Sequence, residues 1–400
     1  MYTYILTLYT AISFCSILLD AEKLYSDDCL HLELGFFAPI LYCLLLTICI
    51  VPFSKIRSPL PVNTRINDRF LTFVVYAYFV IFLIVLVTAF SRINEIIVNN
   101  AFDQVRRDAY SGDNESFYNH LSGIQRYIAG IAGELATSAY FLIFIFFYNL
   151  AFNKKSIIFN VITLLSSCPQ LICSINQADR SQFFYWIIMV GLAYTIFHKY
   201  LSKSAKKRVL LVLLAFGAIF LAYLLAVSVA RFSYRDDNTS GGIINYAGQS
   251  YINFCNFINY LHPNYHSLCE LFPITHTYIL DEPNYFESCE IIRKETNIVI
   301  YGFSTFLGFI YSISGGIVLL LFVLLYFYIT TVSLPKKRGS FYYFIKIWCL
   351  SLVVVLGIFT HFYSFPNTIF ALFIWLFVGH KATRFNKITS KTPVTNKSVE

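Results

Sequence analysis

FLTFVVYAYFVIFLIVLVTAFS, residues 70–91, holds no charged side chain, with Asp68 and Arg69 before it and Arg92 after it. As a straight helix it would be about 33 Å long, and the hydrocarbon core of a bilayer is about 30 Å thick. The stretch therefore reads as a membrane-spanning helix. Nine further apolar runs follow the same pattern, at 2–19, 34–52, 136–152, 156–175, 183–197, 209–229, 309–332, 341–362 and 366–379. The runs 183–197 and 366–379 are short, so their boundaries are weak and a re-entrant segment is an alternative for one of them. The 400-residue chain agrees with this local pattern: 57% is hydrophobic, 13% is charged and the mean hydropathy is +0.63. That lies outside the soluble range. The expected fold class is all-α, a polytopic integral membrane protein of about ten transmembrane helices. Its membrane domain covers 1–383, and a Lys/Thr/Asn/Ser-rich tail, 384–400, is expected to be disordered.

Charge supplies an independent topology. With the N-terminus inside and the runs crossing alternately, 19 of the 30 Lys/Arg fall in inner segments and 10 in outer ones, with Lys346 alone inside a run. The inner segments contain only Asp68 and Glu400 among the acids. This asymmetry follows the positive-inside rule and predicts cytoplasmic termini. The net charge of +8 is then a consequence of topology and carries no nucleic-acid signal. The first apolar run lacks a basic leader and a small-residue cleavage site, so it reads as an anchor.

Two outer segments are long: 92–135 and 230–300. In the first, Ile93, Ile96, Ile97 and Phe102 share one side of an amphipathic stretch expected to lie in the interface. In the second, a polar RDDNTSGG is followed by an expected interfacial helix over 246–262. Tyr251, Phe254, Ile258 and Leu261 mark one face, and Gln249, Asn253, Asn256 and Tyr260 the other, which is expected to be wet. Gly302, Gly308, Gly315 and Gly316 make the return to the run at 309–332 irregular. Cys29, Cys255, Cys269 and Cys289 fall outside, where bridges can form in any of three connectivities. The other six cysteines read as small core hydrophobes.

No HExxH, GxSxG, Walker loop or DxD pair occurs, and no Cys/His zinc spacing. Neither a metal nor another cofactor is expected. The outer arginines carry more information. Arg180 lies in NQADRSQ, while Arg231 and Arg235 stand one helical turn apart at the end of the run 209–229. A guanidinium binds two phosphate oxygens at once and stays charged in a low-dielectric setting. Against this stands the plainer role of pairing with Asp236 and Asp237 or reaching to headgroups. For proton transfer the outer candidates are His262, His266 and His276, with Glu134 and Glu270 as alternatives. His361 is expected to face water or a cavity and has no assigned role.

The layout resembles that of the oligosaccharide repeat-unit polymerases of O-antigen synthesis, the Wzy type. The resemblance rests on the ten runs, the basic inner loops, the late outer segment opening with an arginine, a Y-x-G-x4-N-F element at Tyr246, Gly248, Asn253 and Phe254, and the Gly-rich FLGFIYSISGG. An R-x10-G pattern described for part of that family occurs at Arg231/Gly242 and Arg180/Gly191. The resemblance implies a GT-C-like architecture in the bacterial inner membrane. It also implies metal-independent joining, at the outer face, of repeat units carried on undecaprenyl diphosphate, into O-antigen or capsular polysaccharide. Arg231, Arg235, His262 and His266 would be catalytic, and Arg180, Tyr246, Gln249 and Asn253 would bind substrate. The partners implied are the lipid-linked oligosaccharide, a chain-length regulator and a flippase. An O-antigen ligase shares this layout. A transporter or flippase is the alternative from another class, and it predicts charges within the spans and repeat symmetry.

Overall fold

Each apolar run falls largely on helix in the computed structural model of the chain. The structure describes residues 1–22, 34–56, 62–63, 66–99, 105, 121–153, 155–177, 179–232, 239–261, 304–334 and 339–384. In chain order the helices are α1 (Tyr2–Glu22), α2 (Phe37–Ser54), α3 (Asp68–Val98), α4 (Gly123–Ala136), α5 (Phe141–Tyr148), α6 (Ile157–Leu165), α7 (Pro169–Asn176) and α8 (Ser181–Phe197). They continue as α9 (Lys203–Phe232), α10 (Thr239–Tyr260), α11 (Thr305–Ser333), α12 (Phe341–Val355) and α13 (Pro366–Arg384). Two-residue strands β1 (Val62–Asn63) and β2 (Gly339–Ser340) pair in parallel, Val62 with Gly339 and Asn63 with Ser340.

Six helical runs among the described residues are long and apolar enough to cross a membrane: Phe37–Ser54, Asp68–Ile96, Gly123–Asn153, Ile157–Asn176, Thr305–Ser333 and Phe341–Ile358. Tyr2–Leu18 and Ser181–Phe197 are apolar but shorter. The described chain is thus helical apart from one strand pair, with the make-up of a multi-pass membrane protein.

The element at the centre is α5, all eight of whose residues are buried. A helix that is apolar all round must be surrounded by other helices. Phe144 meets Phe197 of α8 at 5.2 Å and Phe341 and Trp348 of α12 at 5.8 and 5.9 Å between ring centroids. From α13, Trp375 donates its indole N–H to the Ser138 carbonyl at 2.8 Å. The outward faces carry large exposed apolar side chains such as Phe73, Val87 and Phe90 on α3 and Leu321, Leu325 and Tyr328 on α11. This pattern suits a hydrocarbon solvent.

Segments assigned to the inner side by charge gather at one end. Lys155 pairs with the carboxylate of Asp68, and Asn153 donates to the same group at 3.3 Å. The Asn67 amide donates to the Ala382 carbonyl at 3.0 Å, and the strand pair joins the α2–α3 loop to the α11–α12 loop. Met1, Phe53, Ile56, His198, Tyr200 and Tyr343 line one small pocket there, so the ends of α1, α2, α8 and α12 meet.

Four features depart from the sequence expectations. The residues at 93–98 do not start a separate interfacial helix; they are the last turns of α3, and Ile96 is buried. The run expected at 136–152 begins at Gly123 and passes through a 3-10 turn (Thr137–Tyr140) and a π turn (Asn149–Asn153). The run 156–175 is broken between α6 and α7, where Pro169 opens the second piece because it cannot serve the interior of the first. The fourth departure lies in α11. In a straight helix Phe306 and Phe322 would stand about 24 Å apart, yet their rings lie 6.4 Å apart. The helix doubles back at Gly315, whose φ of 76° and ψ of −179° is a conformation essentially confined to glycine. Its arms, 305–314 and 316–333, pack on each other, and the first is almost wholly buried.

Candidate functional site

The turn between α7 and α8 carries Arg180 and is held from several directions. Asp179 accepts the Ser181 amide at 3.0 Å and the Ser181 hydroxyl at 2.6 Å. A carboxylate placed there satisfies orphan donors at the start of α8 and complements the helix dipole. The Asp179 carbonyl in turn accepts the Ser174 hydroxyl at 2.5 Å and the Tyr223 hydroxyl at 3.1 Å. Tyr223 belongs to α9, and its ring stacks on Phe183 of α8 at 4.7 Å. The C-terminal part of α9 is thus fastened to the Arg180 turn. Arg231 stands in the last turn of α9, eight residues beyond Tyr223, about 12 Å further along the axis. Arg180 itself is partly exposed.

Next to this turn the 3-10 segment Thr137–Tyr140 redirects polar side chains toward three helices. Tyr140 donates to Gln182 Oε1 at 2.9 Å, Thr137 to Gln170 Oε1 at 3.4 Å, and Asn367 Nδ2 to Thr137 Oγ1 at 3.2 Å. Asn367 Oδ1 is buried without a partner. The result is an uncharged hydrogen-bonding row beside the arginine turn.

The other sequence candidates separate clearly. Arg235, His262, His266, His276 and Glu270 lie outside the described residues, as do the side chains of Arg231 and Tyr246 and three of the outer cysteines, Cys29, Cys269 and Cys289. Gln249 is half-buried and Asn253 is 3% exposed. The helix expected over 246–262 begins at Thr239, and of the face expected to be wet Asn253 and Asn256 are buried while Tyr260 is exposed. Residues 250–257 are buried on every side, because α10 packs against α1, α2 and α11. The Ser16 hydroxyl donates to the Gly248 carbonyl at 2.5 Å, and Tyr42 touches the rings of Tyr251 and Phe254. Cys255, expected outside among possible bridges, is buried in this contact.

Two further assignments change. Gly191 completes one R-x10-G match, but packing accounts for it: a Cβ there would stand 2.5 Å from the Tyr4 hydroxyl, which donates to Ile188 O at 2.9 Å. His361, expected to face water or a cavity, is 8% exposed and enclosed by the rings of Phe309, Phe322 and Tyr363. Its Nδ1 accepts the Tyr363 amide at 3.3 Å, which places the imidazole proton on Nε2. Among the described residues no group of three His, Cys, Asp or Glu could hold a metal ion. Tyr223, Thr137, Gln170 and Asn367 were not foreseen, since single polar residues inside apolar runs give no pattern.

Compared with protein-family models, with curated proteins and with solved structures, the chain matches none.

Proposed function

We propose that this protein is a multi-pass glycosyltransferase of about ten spans that polymerises undecaprenyl-diphosphate-linked oligosaccharide units at the outer face of the bacterial inner membrane. The observation that carries the reading is the 3.1 Å hydrogen bond from Tyr223 to the Asp179 carbonyl. It fastens the helix that ends near Arg231 to the turn bearing Arg180, which supports reading the two arginines, distant in sequence, as parts of one site. Arginine forks in such a region neutralise the charge that grows on a departing lipid diphosphate while a sugar hydroxyl attacks the anomeric carbon. The growing chain is the donor, and both termini stand in the cytoplasm.

The doubled-back α11 favours a second reading. Broken helices with buried irregular backbone are also how transporters build substrate paths, so a flippase for the same lipid-linked units is the alternative. Deleting the gene separates the two. A polymerase loss leaves single repeat units on the lipid or core, a ligase loss leaves polymer stranded on the carrier, and a flippase loss traps units on the cytoplasmic side. Arg180→Lys and Arg231→Lys are expected to shorten the polymer ladder while the protein remains in the membrane. Full-length ladders from both variants would exclude a bidentate phosphate role.

A further inference from the structure

The first turns of α9 carry four cations, Lys203, Lys206, Lys207 and Arg208, and no acid. Like charges one turn apart repel each other, and cations near a helix N-terminus oppose its dipole. Other basic residues of the inner segments and helix ends are answered within the protein. Lys155 pairs with the carboxylate of Asp68, Lys346 lies over the Tyr342 ring at 4.9 Å, and Lys381 over that of Phe377 at 5.6 Å. Asp68 is the one acid among the described residues of the inner segments, and Lys155 already holds it. The four α9 side chains have no hydrogen bond, ion pair or ring contact among the described residues.

Packing fixes which way this charge faces. Leu201, Ala205 and Val209 recur every four residues and are buried, so their side of the helix faces the bundle. Lys203 and Lys207 stand roughly 160° to either side of Ala205, opposite the bundle. Lys206 lies beside Lys207, and Arg208 on the other flank. Lys203, Lys207 and Arg208 are exposed and Lys206 is half-buried. Leu210, Leu211 and Leu214 fall on the same outward half and are exposed. They stand about 5 to 10 Å beyond Lys207 along the axis, within the run 209–229.

Cations at the end of a helix, with exposed leucines one to two turns deeper on the same face, select one kind of occupant. A free anion or an acidic peptide would engage the lysines and gain nothing from the leucines. A neutral lipid would cover the leucines and leave the cations unanswered. A phospholipid of net negative charge does both: the lysine stems run along its hydrocarbon and their ammonium groups reach its headgroup. We propose that the outward face at the start of α9 is a docking surface for an anionic phospholipid of the cytoplasmic leaflet. Lys203 and Lys207 hold the headgroup, Lys206 and Arg208 add to the field, and the acyl chains lie along Leu210, Leu211 and Leu214. The inference does not depend on the polymerase reading; it uses only the cytoplasmic placement of the basic end expected from charge.

The test uses full-length protein in phosphatidylcholine nanodiscs that contain a small fraction of phosphatidylglycerol with a photoreactive acyl chain. Crosslinks to residues 203–214 are the readout. Phosphatidylglycerol is expected to label this stretch about tenfold more than phosphatidylcholine carrying the same reactive group. Lys203→Gln with Lys207→Gln is expected to remove most of that preference, since each cation beside an anionic surface contributes about a fivefold factor. Lys203→Arg with Lys207→Arg keeps the preference, which separates loss of charge from loss of fold. Equal labelling by the two lipids overturns the proposal, and so does an undiminished preference in the glutamine pair. Loss of the preference in the arginine pair overturns it as well, because charge is then not what holds the lipid. Inorganic phosphate that abolishes labelling, where potassium chloride of the same ionic strength does not, would assign the face to a free anion and overturn the lipid.

Discussion

At the scale of single residues, Gly191 shows how a motif match and a packing need are told apart. The Tyr4 hydroxyl sits where a Cβ would go. Gly191→Ala is therefore expected to lower stability by about 1–3 kcal/mol through overpacking. Adding Tyr4→Phe should recover part of that loss, as read from the thermal midpoint in detergent. If the double variant is no more stable than Gly191→Ala, packing is not the reason for the glycine. Tyr223 makes the complementary case. Tyr223→Phe removes one hydrogen bond worth about 1 kcal/mol and leaves the stacked ring on Phe183. For the proposed polymerisation the expected outcome is a raised KM for the donor with little change in kcat; unchanged kinetics would deny that this contact positions the arginines. Neither residue was legible as such in the sequence. Arg180 and Arg231 stand out there as candidates, because charge next to an apolar run is conspicuous, whereas a tyrosine within the run is one of many aromatics.

At the scale of elements, hydropathy located the helices and misjudged their surroundings. The stretch 70–91 became most of α3, which opens at Asp68 but runs six residues beyond Arg92. The misjudged cases share a cause: apolarity averaged along a run says where a helix can lie but not what touches it. Asn253 and Asn256 looked wet because they are polar, yet α1, α2 and α11 close around them. The glycines of FLGFIYSISGG signalled irregularity, but only three-dimensional contacts show that α11 reverses. Near its start Thr305, a β-branched residue, holds a φ of 57°, a strained conformation costing about 1–3 kcal/mol. Its hydroxyl accepts the Gly308 amide at 3.2 Å, and its own amide and that of Ser304 donate to the Phe359 carbonyl at 3.2 and 2.9 Å. The reversal has a direct check. Phe306→Cys with Phe322→Cys, on a background without other cysteines, is expected to crosslink efficiently with a short bifunctional reagent. A straight helix, holding the pair about 24 Å apart, would give none.

At the scale of the whole molecule, the charge asymmetry and the packing agree on which segments belong together. Ser202 and Ser122 are exposed near opposite ends of the bundle. An impermeant maleimide is expected to label Ser122→Cys in intact cells and Ser202→Cys only after permeabilisation; labelling of both from one side would break the topology. The sequence made the rough positions of the apolar runs readable because bilayer thickness imposes a length on them.

The strand pair at the inner end has a mechanical consequence. Two residues joined to two others are too short to persist alone, so Val62, Asn63, Gly339 and Ser340 stay matched only while the helices on either side hold their spacing. A tilt of α3 relative to α12 would unfasten them before either helix bent. The pair thus works as a clasp that records alignment at the cytoplasm-facing mouth expected from charge, and its amides should be the first there to trade hydrogen for deuterium when the bundle is pried apart.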